Sequence, residues 1–214
     1  MRHHRPERPA KHKKDLAMSL IKHQSGYKRQ RGTSLLEVLI TIIILAFGLL
    51  GLAGLQSKIQ LAEMESFQRA QATLLLSDMV ERVSANRANA ESYYLAASSP
   101  VGTGDTQPET CPAASGVTSQ DICEWSNALK GAGEQTNSAN TGAMLGGRGF
   151  VAQVQAPDPT AGVCLPGVYQ VTVVWQGMNP TAPSALTCGQ GSYTPDTTRR
   201  AISSQITVGQ PSCI

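Results

Sequence analysis

Apolar residues follow three regimes along this chain, and each predicts a different element. Residues 38–55 read VLITIIILAFGLLGLAGL, eighteen positions without a charge in which Thr41 is the only hydroxyl. Extended back to Thr33, the run covers twenty-three residues, roughly 35 Å of helix and enough to cross a bilayer. From residue 56 the apolar positions become periodic. Ile59, Ala62, Phe67, Ala70 and Leu74 recur at steps of three to five among Lys58, Glu63, Glu65, Gln68 and Arg69. Leu76, Met79, Val80 and Val83 form a second stripe, flanked by Asp78, Glu81, Arg82 and Arg87. The period predicts an amphipathic helix to about Tyr94. No proline interrupts the apolar and amphipathic parts before Pro100, so they read as one helix of about sixty residues, roughly 90 Å long.

Short alternating segments follow. Residues 98–116 are rich in Gly, Pro, Ser and Thr and read as a surface loop. Thr118-Ser119-Gln120-Asp121 looks like a capping box opening a short helix over 122–130, which Gly131 stops. Trp125 and Leu129 lie four apart on that helix and are expected to cover a sheet; 131–142 reads as a second polar loop. Strands are predicted over 150–155, 168–176 (VYQVTVVWQ, the strongest) and 201–208. The economical fold is α+β: a long helix against an antiparallel sheet of three or four strands.

Charge divides the chain at the same place as hydropathy. Residues 1–32 hold ten of the eighteen Lys and Arg but only Glu7 and Asp15 of the fifteen acids. The remainder has eight bases against thirteen acids, a net charge of −5. A basic head before an apolar run is a topology signal: by the positive-inside rule the head is cytoplasmic and the rest exported. All four histidines (His3, His4, His12, His23) lie in that head. A chain that loses the head therefore has no Ser/His/Asp or Cys/His catalysis and no His-ligated metal. No catalytic residue, cofactor or metal site is expected, and no enzyme.

The junction carries two unusual residues. Glu37 stands one turn inside the apolar run, where a carboxylate costs on the order of 2.5–3.5 kcal/mol at full membrane depth. Gly32 separates the basic Tyr27-Lys28-Arg29-Gln30-Arg31 from the helix. A secretory signal peptide would have a 7–15-residue core and a small-x-small exit, for which Ala53-Gly54-Leu55-Gln56 is a poor match. A plain membrane anchor accounts for neither Gly32 nor Glu37.

Arg31-Gly32-Thr33-Ser34-Leu35-Leu36-Glu37 resembles the prepilin signature of the type IV pilin superfamily, with its class III signal peptide. The resemblance implies cleavage after Gly32 by prepilin peptidase, N-methylation of Thr33, and Glu37 as the fifth mature residue, meeting the N-terminal ammonium of a neighbouring subunit. Thr33 departs from the Phe usual in major pilins. Residues 48–56 (GLLGLAGLQ) and 77–87 (SDMVERVSANR), the Asp121/Trp125/Leu129 helix, and Gly146, Gly147 and Gly149 resemble the PilV-type minor pilins. Met18 would give a leader of fifteen residues, the more usual size, so residues 1–17 are a candidate start-site misassignment.

The implied organisation is a leader over 1–32, a transmembrane or filament-core half-helix over 33–55, an amphipathic half over 56–95 and a periplasmic head over 96–214. The implied partners are prepilin peptidase, the inner membrane, other minor pilins, the major pilin and a tip adhesin, with no nucleic acid. The chain is then expected first in the inner membrane as a single-pass protein and later on the pilus at the cell surface, supporting assembly, adhesion and twitching motility. A minor pseudopilin of type II secretion is the alternative. Gly48, Gly51 and Gly54 read either as sites of close helix packing or as points where the helix melts on entering a filament.

The five cysteines (Cys111, Cys123, Cys164, Cys188, Cys213) all follow the apolar run and form no Cys-x-x-Cys pair, which suits disulfides in an oxidising compartment. Joining sequence neighbours gives Cys111–Cys123 and Cys164–Cys188, with Cys213 left over. Gly146-Gly147-Arg148-Gly149 lacks the lysine of a phosphate-binding loop and reads as a turn. Asp105 and Glu109 read as a solvated loop pair, and Arg199-Arg200 as a solvated strand edge.

Overall fold

The computed structural model describes residues 32, 34–96, 99–112, 116–133, 135–137, 139–140, 142 and 144–209. The leader through Arg31, the alternative start at Met18, Thr33 and Cys213 lie outside the described residues. The chain divides into two units, one ending at Gly48 and one beginning at Leu49.

Helix α1 (Leu35–Ala85) begins in the first unit. Every described residue of that unit is exposed, including Leu39, Ile43 and Phe47. Thr41 satisfies its hydroxyl inside the helix, donating to the Val38 carbonyl at 2.8 Å. Its apolar surroundings therefore meet no unpaired side-chain polar group there.

In the second unit, α1 buries Gln68, Ala72, Leu76, Met79 and Val83. This is the second of the two predicted stripes. The first is not the docking face: Ile59, Phe67 and Leu74 stay 47%, 47% and 64% exposed. The helix also ends earlier than its periodicity suggests. Asn86 leaves helical geometry (φ −114°, ψ 48°), and a 3-10 turn (Arg87–Asn89) leads into α2 (Ala90–Ala96). The Asn86 side chain donates to the Tyr93 hydroxyl at 3.3 Å and accepts from Asn89 Nδ2 at 2.8 Å. Such local bonds give the chain an alternative to the helical ladder, and the bend brings Tyr93 into the core.

Helix α3 (Val117–Leu129) starts after Gly116, whose φ is +87°, with no side-chain cap bond. The expected capping box at Thr118 does not form, because the helix has already begun one residue before it. The predicted stop is present. Gly131 has φ +85°, its N–H reaches the Ala128 carbonyl, and the Ala132 N–H reaches the Asn127 carbonyl, the paired bonds of a left-handed C-terminal cap.

The sheet has four antiparallel strands: β1 (Val101–Gly102), β4 (Arg148–Gln155), β5 (Gly167–Gln176) and β6 (Arg199–Val208), in that spatial order. A separate two-stranded hairpin, β2 (Gln135–Thr136) with β3 (Ala139–Asn140), occupies the stretch expected to be a polar loop. β1 likewise lies in the first expected loop. Tyr169, Val171, Val173 and Trp175 of β5 join Val151, Ile206, Val208, Ala72, Met79, Val83, Trp125 and Leu129 in one core. The other face of β5 is also covered at one end. Thr172 and Val174 are fully buried, and Gly189 of the 177–198 loop lies against Val174. Burial on both faces explains the near-continuous apolar sequence of this strand.

The Cys111–Cys123 disulfide is formed as expected. The second expected bridge is not: Cys164 is disulfide-bonded, and Cys188 is a free, half-buried thiol. The intervening strand explains the error. Ten residues of β5 span roughly 33 Å, whereas bridged Cα atoms lie within about 7 Å. Cys164 precedes one end of that strand, and Cys188 is held by Arg199 near the other.

Candidate functional site

The N-terminal junction is built from three described residues. Gly32 is exposed, and a Cβ placed there would meet nothing within 4 Å. Among the described residues, nothing requires glycine at this position. Ser34 closes the helix start: its Oγ accepts the Leu36 N–H at 3.2 Å, and its carbonyl accepts the N–H groups of Glu37 at 2.9 Å and Val38 at 3.2 Å. Glu37 therefore sits in the first turn, where free N–H groups and the helix dipole favour a carboxylate by ~0.3–1 kcal/mol. Ser34-x-x-Glu37 is a capping-box spacing, a signal that the sequence reading overlooked. Beyond it, α1 is the one described helix long and apolar enough to cross a membrane, and its most apolar window is wholly unburied. Gly48, Gly51 and Gly54 each have open space where a Cβ would stand, so their own chain does not demand glycine either.

A second constellation locks α1 to α3. Arg82 binds Asp78 at 3.0 Å, Asp121 at 2.7 Å and Glu124 at 2.8 Å. The Tyr93 hydroxyl donates to the other Asp121 oxygen. Burial opposes the Arg82 charge, but the bonds to Glu124, Asp78 and Asp121 outweigh it and hold the guanidinium firmly ionised. Arg82 in turn keeps the Glu124 carboxyl below its ordinary range. Burial and the adjacent Asp121 push the Tyr93 hydroxyl up to about 12. Three carboxylates from two helices thus converge on one cation, and the 77–87 segment is explained as a helix-docking element.

Residues 146–149 are more than a turn. Trp125 is fully buried, and its indole N–H donates to the Leu75 carbonyl of α1 at 2.9 Å. Its ring lies over Gly149, where a Cβ would stand 2.1 Å from Trp125 Cη2. A Cβ at Gly147 would stand 2.9 Å from the Leu129 carbonyl. The glycines and the tryptophan are one packing device that seats α3 on β4.

Two further expectations are overturned. Asp105 is not solvated. It binds Lys130, the Ser126 hydroxyl at 2.7 Å and the Gly102 N–H at 2.8 Å, tying the loop after β1 to α3. Arg199 is 2% exposed. It donates to the carbonyls of Ser184, Leu186 and Cys188 and pairs with Asp196 at 2.9 Å, clamping the 177–198 loop. Arg200 binds Glu65 of α1 at 2.7 Å and the Asn179 carbonyl. Both arginines are spent on the fold and form no solvated strand edge.

Asp105 carries a pH dependence. Burial raises its carboxyl, but the Lys130 bond, followed by Gly102, Ser126 and Gln107, holds it below the ordinary aspartate range. A depressed carboxyl contributes stability that is fully present above its unfolded value and lost as pH falls through the folded one. The urea midpoint of the detergent-solubilised protein should therefore be level from pH 5 to 8 and fall below about pH 4. Asp105→Asn should lower the neutral plateau and soften the acid fall. An unchanged plateau would exclude this role.

In comparison with known families, residues 27–53 match the prokaryotic N-terminal methylation motif. No curated protein and no solved structure matches the chain. The matched stretch contains the residues described above, from the basic flank through Gly32, Ser34 and Glu37 into the apolar helix. The motif indicates a type IV pilin-like prepilin, and with the long helix and four-stranded head behind it supports a place in the type IV pilin superfamily.

Proposed function

We propose that the protein is a PilV-type minor pilin, a structural subunit of a type IV pilus that primes or supports filament assembly at or near the tip. The observation that carries the reading is the junction: an exposed Gly32 that no described residue requires to be glycine, followed by Glu37 one turn into an unburied apolar helix. A glycine without a structural reason implies an external constraint, and the confined site of a peptidase supplies one. On this reading the leader over 1–32 is removed, residues 33–55 anchor the subunit in the inner membrane and then enter the filament core, and residues 56–95 carry the head onto the pilus. The subunit would contact the major pilin, other minor pilins and a tip adhesin, supporting adhesion and twitching. A minor pseudopilin of type II secretion has the same parts, and the PilV-like 48–56 and 77–87 segments favour the pilus.

Intact-mass measurement of membrane-extracted protein is expected to show a chain beginning at Thr33 and carrying one N-methyl group. Retention of residues 18–32 in cells with active prepilin peptidase would overturn the processing assignment. Deletion separates the two machines: loss of pili with normal secretion supports the first reading, and loss of secretion with normal pili replaces it with the second.

A further inference from the structure

The hydrogen bonds at the start of α1 give Ser34 a task that neither the motif nor the fold states. A peptidase needs its substrate backbone extended, with N–H and C=O groups free to be held; inside a helix those groups are consumed by the ladder. Here the helix begins at Leu35, and Gly32 lies outside it. Among the described residues, the one that fixes that boundary is Ser34, whose hydroxyl takes the Leu36 N–H and whose carbonyl takes those of Glu37 and Val38.

The surroundings make this cap matter more than on an ordinary surface helix. Leu35, Leu36 and the apolar run follow at once. Near the hydrocarbon boundary an unpaired Leu36 N–H has little water to turn to. Without the cap, the helix end is free to unwind past Leu35 or to wind back toward Gly32, and Gly32 loses its fixed distance from the first turn.

We propose that Ser34 is a positioning residue for maturation: by capping α1 it fixes where the helix begins and keeps Gly32, the residue on the leader side of the cut, outside it. This rests on the prepilin reading above. The reaction itself is hydrolysis, in which water adds across the peptide, leaving Gly32 as a carboxylate and Thr33 as an ammonium. Ser34 contributes geometry and no proton.

The test uses the full-length precursor in membrane vesicles with prepilin peptidase, comparing wild type with Ser34→Thr, Ser34→Val and Ser34→Ala. Thr and Val have the same shape, but only Thr carries a capping oxygen. Ser34→Thr should be cleaved at close to the wild-type rate. Ser34→Val and Ser34→Ala should be cleaved about fivefold more slowly, the rate equivalent of a cap worth ~1 kcal/mol. Amide exchange at Leu36 in micelles should rise in the two slow variants alone. Equal rates for Ser34→Thr and Ser34→Val overturn the proposal. Slowing without faster exchange at Leu36 also overturns it, because the hydroxyl would then act on the peptidase directly. A wild-type chain that is never cut after Gly32 refutes the prepilin reading instead, so the two failures are distinct.

Discussion

Gly149→Ala is expected to destabilise the head by about 3–5 kcal/mol, a large share of the ~5–15 kcal/mol that holds a typical domain together. The new methyl carbon would stand 2.1 Å from Trp125 Cη2, 2.4 Å from Cζ3 and 2.7 Å from Cζ2, so the ring has to move. Overpacking alone costs about 1–3 kcal/mol. Displacement also breaks the Trp125 indole bond to the Leu75 carbonyl, and a buried donor left unpaired costs about 1–3 kcal/mol more. β4 cannot yield instead, because Gly149 is paired with Val101 on one side and Val173 on the other.

The measurement is the urea midpoint of Gly149→Ala, read with the Cys111–Cys123 bridge intact. A second variant separates this contact from a general intolerance of substitution in β4. Trp125→Leu alone should be costly, since it empties a fully buried site. Combined with Gly149→Ala it should cost less than the two separate losses added together, because the leucine leaves room for the methyl. Strict additivity, or a Gly149→Ala loss under about 1 kcal/mol, would show that the ring and the glycine are not coupled.

Elements with a clean period were legible in the sequence, and long-range partners were not. The three principal strands fell within two residues of expectation because alternation is a local property; β1 and the β2/β3 hairpin are only two residues long per strand and leave no period to read. On α1, periodicity revealed apolar stripes but not which one docks. Ile59, Phe67 and Leu74 are as regular as Met79 and Val83, and the buried face includes a polar residue, Gln68. Arg199 and Asp105 were misread for a related reason. Their burial depends on carbonyls and an ammonium brought from residues 11–25 positions away, and single-sequence composition prices a lone charge as solvated. At the junction, Gly32 and Glu37 stood out because each is anomalous beside its neighbours. Ser34 did not, since a serine before a helix is ordinary until its bond to Leu36 is seen.

Glu37→Gln is expected to leave membrane insertion intact and to reduce incorporation into pili at least tenfold. The substitution is chosen for what it preserves. Glutamine serves as well as glutamate at the third position of a capping box, so the start fixed by Ser34 should stand, and only the charge is lost. In the membrane the variant gives up a helix-dipole interaction worth ~0.3–1 kcal/mol but also the larger cost of a carboxylate in hydrocarbon, so insertion should survive or improve. In a filament the demand is different. On the proposed reading the ammonium of a neighbouring subunit enters hydrocarbon and needs an anion; leaving a buried ion unpaired costs about 3–5 kcal/mol. Even half of that exceeds the 1.36 kcal/mol that corresponds to a factor of ten. The quantity to measure is the ratio of variant in sheared pili to variant in the membrane pool, in a strain without the wild-type copy. Cleavage after Gly32 should be scored in the same samples, so that a processing defect is not mistaken for an assembly defect. An unchanged ratio with normal piliation would mean that docking is governed elsewhere on the helix, and the exposed Ile59, Phe67 and Leu74 would be the next residues to vary.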